Sequence, residues 1–174
     1  MKSIPIAASI TMAALLGACQ SIPSDAPKAT AVLEPTKGST VRGTASFVQL
    51  GDKVRVTANV AGLKPNGEFG FHIHEAGDCS SGDGMSTKGH FNPYGKPHAY
   101  AGTPERHAGD LMSLKSDGGG NASLTVDLDI ITVSPGPASI VGRGLIVHAQ
   151  ADDFKTQPTG NAGARSACAV IQRN

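Results

Sequence analysis

Apolar and polar residues alternate along this chain in short runs, the two-residue period of strands that bury one face. Lys53 to Val60 (K-V-R-V-T-A-N-V) alternates strictly, with Val54, Val56, Ala58 and Val60 on one face. Thr30 to Leu33, Val41 to Val48, Glu68 to His74, Ala122 to Ile130, Ile140 to His148 and Cys168 to Ile171 read as further strands. Turn signals punctuate them at Gly51-Asp52, Pro65-Asn66-Gly67, Asp117-Gly118-Gly119-Gly120 and Pro135-Gly136-Pro137. No helical stretch with convincing caps and no internal repeat is present. Short strands at this spacing predict an all-β sandwich or barrel of about seven or eight strands.

Two segments break the rhythm. Glu75 to Leu111 spans 37 residues without a strand pattern, and Ala149 to Ala164 spans 16. Loops beyond about 12 to 15 residues are uncommon in compact domains and usually carry function. All six histidines lie in or beside these two segments: His72, His74, His90, His98, His107 and His148.

Their spacing has chemical content. His72 and His74 are two apart in a strand, so both imidazoles leave one face while Phe71 and Ile73 point toward the core. Such a pair suits a metal site or two surface histidines equally well. His90, His98 and His107, with Asp110 three residues on, supply three imidazoles and a carboxylate, a complete tetrahedral zinc set. His148 ends the Ile140 to Val147 strand, where it can join the first pair. An all-imidazole site suits copper as well as zinc, and a mixed imidazole and carboxylate tetrahedron suits zinc.

Composition narrows the class. The chain has 174 residues, enough for one domain with its own core. Hydrophobic residues reach 39%, too many for a disordered chain. Formal net charge is +1, and without a leader carrying Lys2 it is zero, so no nucleic-acid partner is expected.

Residues 1–18 read as a signal peptide, with Lys2 ahead of an apolar run from Ile4 to Ala14 that is too short to span a bilayer. The run closes in Leu16-Gly17-Ala18-Cys19, the pattern of a bacterial lipobox in which Cys19 takes lipid; a plain secretory cleavage is the alternative. Residues 19–26 then form a flexible, lipid-anchored tether, and 27–174 the folded domain. The expected location is the periplasm or cell envelope, with membrane contact through the lipid. If Cys19 is lipidated, Cys79 and Cys168 remain. An oxidising compartment favours a disulfide between them over two buried thiols.

Five segments resemble one family. They are Gly70-Phe71-His72-Ile73-His74-Glu75, Gly89-His90-Phe91-Asn92-Pro93, Glu105 to Leu111 (E-R-H-A-G-D-L), Gly142 to His148 (G-R-G-L-I-V-H) and Thr159 to Cys168 (T-G-N-A-G-A-R-S-A-C). In this order they are similar to the copper,zinc superoxide dismutases, of the bacterial exported type, over nearly all of residues 27–174. The resemblance implies a Greek-key, immunoglobulin-like β-sandwich or flattened barrel with two long functional loops. It implies copper on His72, His74, His90 and His148, and zinc on His90, His98, His107 and Asp110, with His90 shared. Asp152 matches a carboxylate that hydrogen-bonds a ligand of each metal, and Arg165 the cation that orients the substrate anion. Cys79 and Cys168 match the family disulfide.

The implied reaction is dismutation of superoxide to dioxygen and hydrogen peroxide by alternating copper redox, with His90 and Arg165 catalytic. A copper-handling module on the same scaffold is the competing class; relatives of that kind lose part of the zinc set or the arginine, and both are complete here. The chain departs from the animal enzymes in a Gly/Ser-rich insert between Cys79 and His90. Its second loop is shorter, with only Lys155 as a cation before Arg165. Lys88, Lys96 and Arg106 are either substitutes for the missing steering charge or ordinary solvated residues. A homodimer is left open, and no interface follows from the resemblance.

Overall fold

Alternation becomes a curled, nearly all-β sheet in a computed structural model that describes residues 25–174. The expected signal peptide, the expected lipidation site Cys19 and the expected tether up to Ser24 lie outside the described residues. The strands are β1 (Lys28–Pro35), β2 (Arg42–Leu50), β3 (Lys53–Ala61), β4 (Glu68–Phe69), β5 (Phe71–His74), β6 (Leu114–Lys115), β7 (Ala122–Leu128), β8 (Gly144–His148), β9 (Arg165–Val170) and β10 (Gln172–Arg173). The main sheet runs β5-β8-β9-β1-β2-β3-β7, with β10 added beside β1. Pairings such as β1 with β9 and β3 with β7 join strands far apart in sequence, the mark of Greek-key connections. A single 3-10 turn, Met85–Thr87, is the one helical element among the described residues.

β1 joins the two halves of the curled sheet. Lys28 to Leu33 pair with β2, while Glu34 and Pro35 pair with Cys168 and Ala167 of β9. The β4–β6 ribbon runs into β5 at one end and turns into β7 at the other, so the chain itself links the two outer strands. Inside, Val54, Val56, Ala58 and Val60 of β3 are buried with Phe47, Leu33, Phe71, Ile73, Leu145 and Val147.

Several strands differ from their sequence reading because pairing, not alternation, sets their ends: β9 begins at Arg165, three residues before Cys168, β7 stops at Leu128, and the two-residue strands β6 and β10 carry no alternating signal. The run Glu68 to His74 divides at Gly70, since β4 pairs with β6 and β5 pairs with β8. Ile140 to His148 shortens to Gly144–His148, because Ile140 is drawn into a turn where its amide donates to the Thr132 carbonyl.

The first long loop is anchored by backbone after all. Ile73 donates to the Gly109 carbonyl (2.9 Å), Phe91 donates to Ile73 (2.8 Å) and Gly109 donates to Phe91 (2.8 Å). Isolated bridges set His90 against His74 and Asp110 against His72. The loop thus passes β5 twice, once at each cluster. A second tether is the Cys79–Cys168 disulfide, which ties the loop to β9 across 89 residues of sequence. Closing a loop of that length stabilises by roughly 4 to 5 kcal/mol in the chain-entropy description.

Gly109 permits the closest of these approaches. A Cβ there would stand 2.1 Å from the Ile73 carbonyl oxygen and 3.0 Å from the Phe91 amide. Gly109→Ala must therefore push the loop off β5. We expect it to lower stability by about 1–3 kcal/mol in urea unfolding and to weaken zinc retention, because Gly109 lies between His107 and Asp110. Unchanged stability and unchanged zinc content would contradict the anchoring role.

Candidate metal centre

One face of β5 and β8 carries the core and the other carries imidazoles. Phe71 and Ile73 of β5, with Leu145 and Val147 of β8, point inward. The opposite face presents His72 and His74, and His148 at the end of β8 donates its amide to the Gly70 carbonyl. All six histidines are buried, so this face is not solvent: the two loops cover it.

Four of these imidazoles, His72, His74, His90 and His148, are each held by one ring nitrogen. His72 Nε2 bonds Asp152 Oδ2 at 2.6 Å, His74 Nδ1 donates to the Lys88 carbonyl at 2.8 Å, and His148 Nδ1 donates to the Gly163 carbonyl at 3.2 Å. His90 Nδ1 faces Asp110 Oδ1 at 2.9 Å. These contacts fix the tautomers and leave the other nitrogen of each ring unpartnered: His72 Nδ1, His74 Nε2, His90 Nε2 and His148 Nε2. Leaving a buried polar atom unsatisfied costs about 1–3 kcal/mol each. Four such atoms in one place have a common explanation, since the four residues offer ligand atoms all within 4.8 Å of one another. A cation satisfies all four at once. Burial holds each of these rings neutral, the form that ligates: His72 and His74 are pushed down, His90 to about 4 and His148 to about 3.

The second cluster is His90, His98, His107 and Asp110, again with ligand atoms within 4.8 Å. Asp110 Oδ2 accepts from the Ala99 and His107 amides at 3.1 and 3.0 Å, which turns Oδ1 toward three imidazoles. His90 Nδ1 and His98 Nδ1 lie 2.9 Å from that oxygen and His107 Nδ1 3.4 Å, with 3.4 Å between the His107 and His90 nitrogens. A tetrahedron with bonds of 2.0 to 2.1 Å has edges of about 3.3 Å, so these spacings match a zinc shell. Burial works against the Asp110 charge, but the His107, His90 and His98 donors hold its carboxyl far below the usual range.

His90 belongs to both clusters, one ring nitrogen to each. Asp152 also joins them, through His72 Nε2 and through His98 Nε2 at 2.9 Å. Arg165, opposite His148 in the β8–β9 register, donates to the Gly84 carbonyl (2.5 Å), the Thr87 hydroxyl (2.7 Å) and the Lys88 carbonyl (2.6 Å). Lys88 O thus holds both His74 and Arg165.

The candidate steering charges fare differently. Arg106 is buried and clipped to Asp129 at 2.6 Å and to the Thr103 carbonyl, so it presents no charge to solvent. Lys88 is exposed near Glu75, and Lys96 is half-buried with its ammonium 2.7 Å from the exposed Glu105. Exposed pairs of that kind contribute little. Sequence reading missed the Lys88 carbonyl and Gln157 beside His98, because backbone acceptors and lone amides carry no pattern.

These features define an all-β protein, built on one curled sheet, with two adjoining clusters of candidate metal ligands. A family model, described as copper/zinc superoxide dismutase, matches residues 41–171. A Cu-Zn superoxide dismutase of Aquifex aeolicus (strain VF5) is 40% identical over 149 residues, covering 83% of this chain and 86% of that protein. The Cu-Zn superoxide dismutase of Paramecium bursaria Chlorella virus 1 is 41% identical over 137 residues, with 75% and 72% covered. The crystal structure of the clock protein EA4 superposes with a TM-score of 0.76 at 41% identity, covering 87% of this chain and 96% of that one. The chain belongs to the copper/zinc superoxide dismutase family, an enzyme family whose cofactors are copper and zinc.

A pH dependence follows from His98. Burial opposes its charge, but the Asp110 and Asp152 carboxylates, one on each ring nitrogen, outweigh it and raise the imidazole to about 9. Metal-stripped protein therefore carries a proton on His98 at neutral pH, and zinc must expel it. As pH falls below about 9, zinc affinity should drop by about tenfold per unit from this group. Titration at pH 6 and pH 8, with proton release read in weak buffer, checks this; equal affinities and no release would contradict it.

Proposed function

We propose that the two clusters form one binuclear centre for superoxide dismutation. Copper is held by His72, His74, His90 and His148, and zinc by His90, His98, His107 and Asp110. The reading is carried by the four buried imidazole nitrogens without partners, set directly beside the Asp110 tetrad. When bound, copper supplies one-electron redox chemistry and zinc a fixed charge that does not change oxidation state.

The chain's own residues do the rest. Two superoxide ions and two protons give one dioxygen and one hydrogen peroxide. Arg165 supplies a permanent planar charge for a small oxygen anion, and its three acceptors aim the guanidinium before substrate arrives. His90 stores a proton at Nε2, the nitrogen facing the first cluster, while Nδ1 stays with the Asp110 side. Asp152 fixes the rings of His72 and His98 together.

The location is also part of the proposal. Residues 1–18 direct export, Cys19 takes lipid, and residues 19–26 tether a catalytic domain of 27–174 in the bacterial envelope, where it removes superoxide. The Cys79–Cys168 disulfide supports this, since such bonds persist outside reducing compartments. Labelled fatty acid should mark the wild-type chain and not Cys19→Ala; equal labelling, or none, would contradict the anchor.

For the centre, His148→Ala should lose copper and nearly all dismutase activity while retaining zinc. Arg165→Ala should keep both metals and slow turnover on the order of 10-fold at low salt. Activity of His148→Ala equal to wild type at full copper loading would overturn the copper assignment. Arg165→Ala matching wild type at every ionic strength would overturn the anion role.

A further inference from the structure

Every ligand of the second cluster comes from the first long loop, yet His98 differs from the others in how its backbone is held. His90 stands in a bridge with His74 and Asp110 in a bridge with His72, so β5 positions both. The amide of His107 donates to Asp110 itself. His98, in an irregular segment after Pro97, has no partner strand. Its main chain is instead gripped by one side chain from the second loop. Gln157 Oε1 accepts the His98 N–H at 2.8 Å, and Gln157 Nε2 donates to the His98 C=O at 2.7 Å. One primary amide thereby serves both backbone groups of one residue, as a neighbouring strand would.

The same stretch of the second loop closes on the His98 ring. Asp152 Oδ1 bonds His98 Nε2 at 2.9 Å, and the Gly160 backbone packs over that bond. A Cβ on Gly160, at φ +65, would lie 1.9 Å from Asp152 Oδ1 and 2.5 Å from His98 Nε2. The turn is braced internally, with the Gly160 amide donating to Thr156 O (2.7 Å) and the Asp153 amide to Gly160 O (2.9 Å). Beside it, Phe154 meets Tyr100 of the first loop edge to face at 5.2 Å between ring centroids. Backbone, imidazole and flank of the His98 segment are therefore all held from the second loop.

We infer that the Asp152–Gly160 turn is a latch for His98 and that Gln157 is its positioning residue, setting the main chain so that Nδ1 meets the zinc cluster. The assignment rests on the zinc reading proposed above. Gln157 touches neither metal nor substrate; it acts through His98. Its amide is needed because both a donor and an acceptor are required. A carboxylate keeps the acceptor for the His98 N–H but sets oxygen against the His98 carbonyl.

The test uses copper- and zinc-loaded full-length protein and three variants, Gln157→Ala, Gln157→Glu and Lys155→Ala. Lys155 is exposed in the same turn, and its backbone carbonyl contact to Gln157 (3.3 Å) survives removal of the side chain. Zinc transfer to an excess of chelator is timed, and the visible spectrum is recorded after cobalt replaces zinc. We expect Gln157→Ala and Gln157→Glu to release zinc about 10-fold faster or more, the range seen when groups behind a ligand are removed. The cobalt bands should shift in both, and Lys155→Ala should match wild type. The carboxylate variant keeps the side-chain length, so it reports on the lost donor even where Gln157→Ala is poorly folded. Wild-type zinc release and cobalt bands in folded Gln157→Glu and Gln157→Ala would overturn the positioning role while leaving the zinc site intact. Wild-type protein that holds no zinc at His90, His98, His107 and Asp110 would overturn the site assignment and this inference with it.

Discussion

Docking of the first long loop onto β5 is the constraint on which both clusters depend. Three backbone bonds among Ile73, Phe91 and Gly109 bring two distant passes of the loop against one short strand. His90 is thereby set beside His74, and Asp110 beside His72. Without that docking, β5 and β8 offer only His72, His74 and His148, and the loop offers a separate set with no fixed relation to them. With it, His90 turns one nitrogen to each cluster, and the centre becomes a single unit rather than two neighbouring sites.

The rigid part of the molecule makes this possible. β5 buries Phe71 and Ile73 on its inner face, so the histidines on its outer face inherit the order of the core. The loops then convert an outer sheet face into an interior. That conversion has a cost: imidazoles and carboxylates leave water, and four ring nitrogens are left without partners. The costs are offset locally by Asp152, Asp110 and the carbonyls of Lys88 and Gly163, which hold the remaining nitrogens and fix the ring orientations. The disulfide adds a covalent tie from the loop to β9 at the side where Arg165 begins that strand.

Much of this is legible in the sequence because its causes are local or chemical. Strict alternation from Lys53 to Val60 reports a half-buried strand, and β3 runs Lys53–Ala61 with that buried face. The histidines announce themselves by type and spacing, and the resemblance to the family orders them into two sets that the structure brings together. What stays hidden is set by partners rather than by pattern. Gly70 ends one strand pairing and begins another because β6 and β8 lie on different sides of it, which nothing in E-F-G-F-H-I-H encodes. Arg106 reads as a solvated charge, yet it is buried against Asp129, an interaction over 23 residues of sequence. The backbone bonds that anchor the loop at Gly109 are equally silent, since any residue offers an amide and a carbonyl and only the lack of a Cβ marks the place.

The central claim is that one side chain, His90, joins two metal ions in a single buried centre. Crystals of copper- and zinc-loaded protein, with anomalous scattering measured on either side of the copper and zinc absorption edges, test it most directly. The account predicts two peaks per chain, copper among His72, His74, His90 and His148, and zinc among His90, His98, His107 and Asp110. In the oxidised, copper(II)-loaded protein, a single peak, two peaks of one metal after stoichiometric loading, or a His90 ring in contact with only one ion would contradict it.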